Sequence, residues 1–239
     1  MDNPNINFQP GKKEQVRQMF NSIAGKYDFL NHFLSVGIDQ LWRRKLVKML
    51  SKENPKKILD LATGTGDLAI ALIKCNPTEI IGADISENML LAGNEKIKRK
   101  KLDNLIKLEL GDSENLKYSN DYFDAITVAF GVRNYEDLDK GLYEMHRVTK
   151  KGGTVWILEF SKPTVFPVKQ LYNFYFKFIL PTIGRFISKD KNAYTYLPES
   201  VGIFPDGENF LSHLRKAGYV ENNQLKLSFG IASIYYGRK

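Results

Sequence analysis

The sequence predicts an α/β fold in which one mostly parallel, Rossmann-like sheet of seven strands carries helices on both faces. Strand-like apolar segments alternate with helix-like segments between residues 57 and 160, and such alternation implies right-handed crossovers between parallel strands. A glycine-rich turn joins the first of these strands to the helix that follows it. With 239 residues, the chain can bury about 70–75% of its unfolded surface in one core.

Two predicted helices precede the sheet and form an N-terminal helical cap at residues 13–52, after a flexible tail at residues 1–12. One face of the first helix carries four apolar side chains with helical spacing, namely Val16, Met19, Phe20 and Ile23. The second helix, at about 39–51, interleaves apolar residues with four basic ones, namely Arg43, Arg44, Lys45 and Lys48.

Five strands are predicted in the alternating region, at 57–61, 79–84, 106–110, 123–130 and 154–160. Helices are predicted between them at about 67–74, directly after Ser86 and at 137–149. Ser86 is a residue type that caps helix N-termini. The residues Lys150, Lys151, Gly152 and Gly153 are expected to form the turn into the fifth strand.

Residues 161–205 interrupt the alternation with prolines and a cluster of aromatic residues, and are predicted to form a helical insertion on the substrate side. A helix–strand–strand pattern resumes at Asp206 and ends with a strand at 231–237. Since no linker or repeat is present, residues 13–239 are predicted to form a single domain.

Charge and cysteine content narrow the class of protein. The net charge of +8 fits nucleic acid, an anionic membrane or neither. The lone Cys75 excludes a disulfide framework, and three scattered histidines offer no ligand spacing, so no metal is expected. No run approaches 18 apolar residues, and the N-terminus lacks an apolar segment. These features predict a cytoplasmic protein.

The glycine-rich turn marks a candidate cofactor site. Gly64 and Gly66 open a literal match to G-x-G-x-x-G/A directly after a strand, in the place where dinucleotide-binding sheets hold their ligand. Asp84 ends the second strand, where its carboxylate can accept hydrogen bonds from ribose hydroxyls. Asp60 and Asp67 flank the turn.

Charge distinguishes between possible cofactors. A diphosphate at this turn would meet like charge from Asp60 and Asp67. S-adenosylmethionine carries no phosphate and brings a sulfonium and an ammonium group, which suit flanking acids. Ile85, after Asp84, is assigned to the same site. Asp112 and Ser113 follow the third strand, where Asp112 could bond the adenine amino group or simply cap a turn.

The residues quoted so far resemble the class I methyltransferases, through ILDLATGTGD at 58–67 and GADIS at 82–86. Four further stretches resemble the menaquinone/ubiquinone C-methyltransferase family across about residues 14–239. These are YDFLNHFLSVGIDQLW at 27–42, FGVRN at 130–134, the segment 147–163 with its LEFSKP sequence, and YTYLPESVGIFP at 194–205.

The resemblance implies an activity and a set of donor contacts. It implies that Thr65, Asp84, Asp112 and Ser113 contact S-adenosylmethionine and that Ala129 lies beside it, where some relatives have serine. It implies methylation of a ring carbon of a polyprenylated hydroquinone. Demethylmenaquinol is the expected substrate, and a prenylated methoxybenzoquinol is the alternative. One departure is Asp39, where the family usually has histidine.

Ring-carbon methylation requires a phenolate-like nucleophile, and a phenol pKa near 10 leaves little phenolate at pH 7. Arg133, directly after the fourth strand, is predicted to stabilise this oxyanion, and Asn134 to orient a hydroxyl or water. Tyr27 and Asp28 are further catalytic candidates. His146 and Tyr196 are weaker candidates, and the general base stays open.

The isoprenoid tail of such a substrate needs apolar walls. The segment 172–180 and the apolar face of the first helix could supply them. Lys169 and Lys177, together with the basic residues at 43–48, would suit peripheral docking on the inner face of an anionic membrane. Whether the chain forms a homodimer is left open.

Rival activities are disfavoured by specific residues. Cytosine C5 methylation needs a catalytic cysteine after the fourth strand, and Cys75 lies in the first helix of the sheet region. Methylation of base amino groups often uses an Asn-Pro-Pro-aromatic loop where this chain has FGVRN. A nucleic-acid partner is therefore not expected. An NAD-dependent reductase conflicts with Asp60 and Asp67, and a non-catalytic binding module conflicts with the retained turn and Arg133.

Overall fold

A computed structural model describes residues 11–26, 35, 37–175, 178 and 192–239. Its strands are β1 Lys57–Leu61, β2 Glu79–Asp84, β3 Ile106–Leu110, β4 Phe123–Ala129, β5 Thr149–Phe160, β6 Val220–Leu227 and β7 Ala232–Arg238. Within the described residues these seven strands form one sheet in the order β3-β2-β1-β4-β5-β7-β6. The predicted sheet is confirmed.

The helices alternate with these strands as the sequence indicates. They are α1 Lys12–Ile23, α2 Ile38–Leu50, α3 Asp67–Ala71, α4 Glu87–Arg99, α5 Leu138–Val148, α6 Val168–Phe174, α7 Asn192–Ile203 and α8 Glu208–Lys216. Ser86 caps α4 by accepting a hydrogen bond from the backbone nitrogen of Met89 at 3.3 Å, as predicted. A short 3-10 helix, Val132–Asn134, follows β4.

Strand direction places the candidate site. The five strands β1 to β5 run parallel, while β7 runs antiparallel to both β5 and β6. The chain fills one half of the sheet with β2 and β3, then returns to the other side of β1 with β4. The carboxyl ends of β1 and β4 therefore flank the crevice in which such sheets bind ligands.

Two apolar clusters cover the two faces of the sheet. Adjacent residues of a strand point to opposite faces, so Leu59 belongs to the cluster packed under α5 and α8, and Ile58 to the cluster packed under α2, α3 and α4. Both side chains are fully buried. Val16 of α1 is buried too, yet it belongs to neither cluster.

Two local differences from the predicted boundaries are found, at residue 12 and at residues 150–153. Lys12 already lies in α1 and not in a tail, while residues 1–10 lie outside the described part of the chain. Residues 150–153 extend β5 at its start, where a register shift in its pairing with β4 accommodates them. The insertion at 161–205 contains α6 and α7. No helix among the described residues is long and apolar enough to cross a membrane.

Candidate active site

The turn between β1 and α3 is held open by two glycines. Gly64 has φ 57° and Gly66 has φ 79°, a left-handed conformation that costs other residues more than glycine. In this conformation the backbone nitrogen of Gly64 points at β2 and donates to Oδ2 of Asp84 at 2.8 Å. The turn is thereby tied to the acid that ends the neighbouring strand.

Asp84 is positioned by backbone amides on both of its oxygens. Oδ1 accepts from the backbone nitrogen of Ser86 at 2.9 Å, while Oδ2 accepts from Gly64. Burial raises the pKa of Asp84, and these amide hydrogen bonds oppose the rise. Each carboxylate oxygen can accept a second hydrogen bond, so Asp84 can still hold a pair of hydroxyl groups.

A pocket opens where the carboxyl ends of β1, β2, β3 and β4 meet, and α1 covers it. Of the predicted site residues, the structure brings Gly64, Asp84, Ile85, Asp112, Ser113, Ala129 and Asn134 to this pocket. The other lining residues are Lys13, Val16, Phe20, Ala62, Met89, Gly111, Glu114, Phe130, Gly131 and Tyr135. Val16 and Phe20 of α1 thus face this pocket.

Asp60 does not line the pocket, contrary to the sequence-based assignment. It is 1% exposed and lies beneath the turn, where its two oxygens accept from the hydroxyls of Thr63 at 2.6 Å and Thr127 at 2.7 Å. Burial raises the pKa of Asp60 to about 6, against the effect of these hydrogen bonds. Asp60 therefore braces the turn from below.

This burial predicts an unusual pH dependence of stability. Because the folded-state pKa of Asp60 exceeds its ordinary value of 3.8, the folded state binds the proton more tightly, and stability falls as pH rises through this range. Between about pH 5 and about pH 6.5 the contribution is about 1 kcal/mol, or about 2–4 °C in Tm. We expect the Tm of Asp60→Asn to fall about 2–4 °C less than that of the parent over this pH range. If scanning calorimetry gives the same decline of Tm with pH for both proteins, the raised pKa of Asp60 is contradicted.

Asp67 forms an ion pair with a lysine and does not supply an unpaired negative charge at the turn, contrary to the sequence-based prediction. Lys96 of α4 pairs with Asp67 at 2.7 Å and donates to the hydroxyl of Thr65 at 3.1 Å. Thr65 is buried and, like Gly66, is absent from the pocket lining. The contact between Lys96 and Thr65 runs toward α4. The turn's own acids are therefore neutralised or buried.

Three acids line the pocket against one lysine, Lys13, so the charge of this lining is net negative; the acids are Asp84, Asp112 and Glu114. Asp112 accepts from the backbone nitrogen of Glu114 at 2.9 Å and from the ammonium group of Lys13 at 2.8 Å. The hydrogen bond to Glu114 is the turn-capping role considered above, and it leaves the carboxylate at the pocket. Both roles of Asp112 are thus compatible.

The pocket residues fit S-adenosylmethionine. Asp84 offers acceptors for a ribose diol, the acids suit the donor's cationic groups, and the apolar side chains of Val16, Phe20 and Met89 suit a flat purine. The backbone of Gly64 and Ala129 leaves room beside the strand ends. When bound, S-adenosylmethionine supplies an electrophilic methyl carbon.

Arg133 lies next to this pocket in a buried ion pair. Its side chain is 8% exposed, and Nη1 donates to Oε1 of Glu159 at 2.9 Å and to the carbonyl oxygen of Phe130. Nε donates to the hydroxyl of Ser200 at 3.3 Å. The guanidinium is therefore fixed by β5, α7 and the end of β4. Its Nη2 donates to no group among the described residues.

Glu159 is a site residue that the sequence analysis missed. It is fully buried near the end of β5, and burial raises its pKa while Arg133 opposes the rise. A signal was present, since an acid within the buried apolar run Trp156–Phe160 needs a cationic partner. What the sequence could not show is that this partner is Arg133, 26 residues away.

Asn134 and Tyr196 meet at the same place. The hydroxyl of Tyr196 donates to Oδ1 of Asn134 at 3.0 Å, and burial raises the pKa of Tyr196, which disfavours it as a general base. His146 lies elsewhere, packed edge-on against Tyr219 with ring centroids 5.0 Å apart. Tyr27 and Asp28 lie outside the described residues.

Two aromatic rings form the floor of this region. The rings of Phe130 and Phe160 lie 4.7 Å apart, and Phe130 has φ 59° although it is not glycine. Arg43 lies over the Phe130 ring at 5.4 Å and pairs with Asp39. Because Arg43 is 9% exposed, it is not available for membrane docking, whereas the other basic residues of that prediction, Arg44, Lys45 and Lys48, are exposed.

Known proteins match nearly the whole chain. A model of the ubiE/COQ5 methyltransferase family matches residues 9–239. A demethylmenaquinone methyltransferase of Bacteroides fragilis is 48% identical over 229 residues, covering 95% of this chain and 94% of the relative. The ubiquinone/menaquinone biosynthesis C-methyltransferase UbiE of a Geobacter species is 43% identical over 230 residues, covering 95% and 97%.

Solved structures share the fold at much lower identity. The cyclase SpnF superposes with a TM-score of 0.70 at 17% identity, covering 96% of each chain. A SAM-dependent methyltransferase of Thermotoga maritima gives 0.65 at 20% identity, covering 93% of this chain and 99% of the other. Since a cyclase and a methyltransferase share this fold, the chemistry has to be argued from the site.

Proposed function

This chain belongs to the ubiE/COQ5 methyltransferase family, and from that premise we propose that it methylates a ring carbon of a prenylated hydroquinone, with demethylmenaquinol as its substrate. The chain is a C-methyltransferase that uses S-adenosylmethionine. The names of the Bacteroides and Geobacter relatives support a quinol substrate. The naphthoquinol is favoured because the relative with 48% identity carries the menaquinone name alone.

The fixed guanidinium of Arg133 beside the donor pocket is the observation that carries the mechanism. Glu159 and Ser200 hold the group in one orientation. Nη2, which donates to no group in the described part of the chain, can therefore donate to a developing phenolate without first reorganising. Asn134 lines the donor pocket and accepts a hydrogen bond from the hydroxyl of Tyr196, which supports a role for its amide beside the reacting groups. Arg133 stabilises the oxyanion, and Asn134 orients the hydroxyl.

A methyl-transfer assay with two acceptors tests this proposal. The protein is incubated with S-adenosylmethionine and either a prenylated demethylnaphthoquinol or a prenylated methoxybenzoquinol, both kept reduced. We expect a C-methylated product from the naphthoquinol. Product from the benzoquinol alone would favour the ubiquinone-pathway alternative, and product from neither would refute quinol methylation.

We also propose that the surface around α6 contacts a membrane that holds the substrate. Lys169 of α6 is exposed, and large apolar side chains stand in solvent beside it, namely Val165, Phe166, Leu171, Phe174 and Phe178. Lys162 donates to the carbonyl oxygen of Gly202 at 3.2 Å, which brings Ile203, 85% exposed, to the same region. Apolar side chains with nearby lysines suit an anionic bilayer surface. Lys177 lies outside the described residues.

Vesicle sedimentation tests the membrane contact. We expect binding to phosphatidylglycerol vesicles that falls as salt rises, and no binding to pure phosphatidylcholine, because each nearby lysine adds about 1 kcal/mol on an anionic surface. Phe166→Ser with Leu171→Ser should abolish the binding, whereas Val220→Ser, at an exposed position on β6, should leave it unchanged. Equal binding to both lipids, or loss in the control as well, would contradict this surface.

A further inference from the structure

Helix α1 presents two side chains of its apolar face, Val16 and Phe20, to the donor pocket. Val16 is 4% exposed and Phe20 is partly buried, and both line the pocket. Val16 packs in neither of the two apolar clusters that hold the sheet and its helices together. Val16 and Phe20 therefore offer apolar surface to a ligand bound in this pocket.

Polar contacts attach the start of α1 to two strand ends. Lys13 pairs with Asp112 at 2.8 Å and with Glu114 at 3.1 Å, both just after β3. Burial lowers the pKa of Lys13, but its interactions with these two acids together raise the pKa by more, so the net shift is upward. Lys12 donates to the carbonyl oxygen of Arg133 at 3.2 Å, beyond β4.

The second half of α1 is attached where β2 leads into α4. Arg17 pairs with Glu87 at 3.0 Å. Oδ1 of Asn21 accepts from the hydroxyl of Ser86 at 2.7 Å and from the backbone nitrogen of Asn88 at 3.1 Å. Helix α1 is thus tied to the same strand ends that build the donor site.

We propose that α1 is a closing wall of the donor site, that it docks together with S-adenosylmethionine, and that Lys13 and Arg17 are positioning residues that hold it shut. The donor identity rests on the proposed function. Partly exposed ion pairs stabilise weakly, so the pairs made by Lys13 and Arg17 contribute little on their own to holding α1 in place. A donor placed against Val16 and Phe20 supplies apolar contact and thereby stabilises the docked helix. The donor leaves when α1 lifts.

Hydrogen exchange with S-adenosylhomocysteine, a donor analogue without the transferable methyl group, tests the coupling. We expect saturating ligand to slow exchange of the α1 amides at least about tenfold, the protection that accompanies a stabilising ligand. The amides of α8, whose side chains pack with those of α5 and do not line the pocket, should slow by a smaller factor than those of α1. Unchanged α1 exchange in protein that binds the ligand would overturn the proposal.

Charge reversal at Arg17 tests whether its pair with Glu87 holds α1 against the donor site. Arg17 and Glu87 lie outside the donor pocket, so an effect on the ligand would have to act through α1. Arg17→Glu places like charges together, and the ligand's dissociation rate in stopped-flow should rise about three- to tenfold. Glu87→Arg in the same chain should restore the parent rate to within about twofold. Lys98→Glu, the same charge change at an exposed position of α4, should have no effect.

The outcomes separate this proposal from the proposed function. If Arg17→Glu speeds ligand dissociation in a protein that methylates no quinol, the proposed role of α1 stands and the proposed quinol substrate is refuted. If the protein methylates the quinol but the ligand dissociates equally fast from the parent, Arg17→Glu and the double variant, only the proposed closing role of α1 is refuted. Failure to bind S-adenosylhomocysteine would refute both.

Discussion

Arg133→Ala should lower the rate of methyl transfer by about 10²–10³, the usual effect of removing a preorganised oxyanion donor. It should also lower the free energy of unfolding by about 3–5 kcal/mol, because Glu159 would be left buried and unpaired. Turnover is measured with saturating quinol and S-adenosylmethionine, and stability by urea denaturation. The two losses have different causes and need separate controls.

The double variant Arg133→Met with Glu159→Gln separates the two causes. Removing both charges of a buried pair is often nearly neutral for stability, and glutamine can still accept the bond from the backbone nitrogen of Phe160. We expect this variant to unfold close to the parent and to stay about 10²–10³ slower in turnover. Parent-like turnover in the double variant would make Arg133 purely structural.

Asp84→Ala should weaken S-adenosylmethionine binding by about 1–3 kcal/mol, or about 5- to 150-fold in Kd. The change removes the acceptors for the ribose and leaves the backbone amides of Gly64 and Ser86 without their partner. Titration calorimetry on the folded variant measures the loss. Melting curves confirm that the fold is retained.

Asp84→Asn is the matched control for this change. The amide keeps one acceptor for the backbone of Gly64 or Ser86 but loses the charge, so its affinity should fall between the parent and Asp84→Ala. Asp60→Asn, beneath the turn and out of the pocket, should change the affinity far less. Unaltered affinity in Asp84→Ala, or an equal loss in Asp60→Asn, would refute the ribose assignment.

The fold was largely predictable because its strands are short apolar runs between polar turns. The observed bounds of β1, β2 and β3 equal the predicted ones, and Ser86 caps α4 as predicted. Residues 150–153 were harder to assign, since Gly152 and Gly153 are typical of turns but here extend a strand whose start is irregularly paired. The turn propensities of these residues do not predict that they pair as part of β5.

The candidate site was only partly predictable, because sequence position gives the strand end but not the direction of a side chain. Asp60 and Asp84 both stand at strand ends, yet hydroxyls from Thr63 and Thr127 hold Asp60 below the turn. The pairs of Arg133 with Glu159 and of Lys13 with Asp112 join residues far apart in the chain. No periodic pattern encodes such contacts.

Phe130 has a consequence for how this enzyme can evolve. Its left-handed backbone costs about 1–2 kcal/mol that glycine would not incur, but Phe130→Gly would also delete a buried aromatic side chain of the core, at a larger cost of about 3–5 kcal/mol. The same replacement would remove the ring that lines the donor pocket and packs on Phe160. Packing therefore retains Phe130 at this position despite its backbone strain, and variants with higher heat resistance must gain their stability elsewhere.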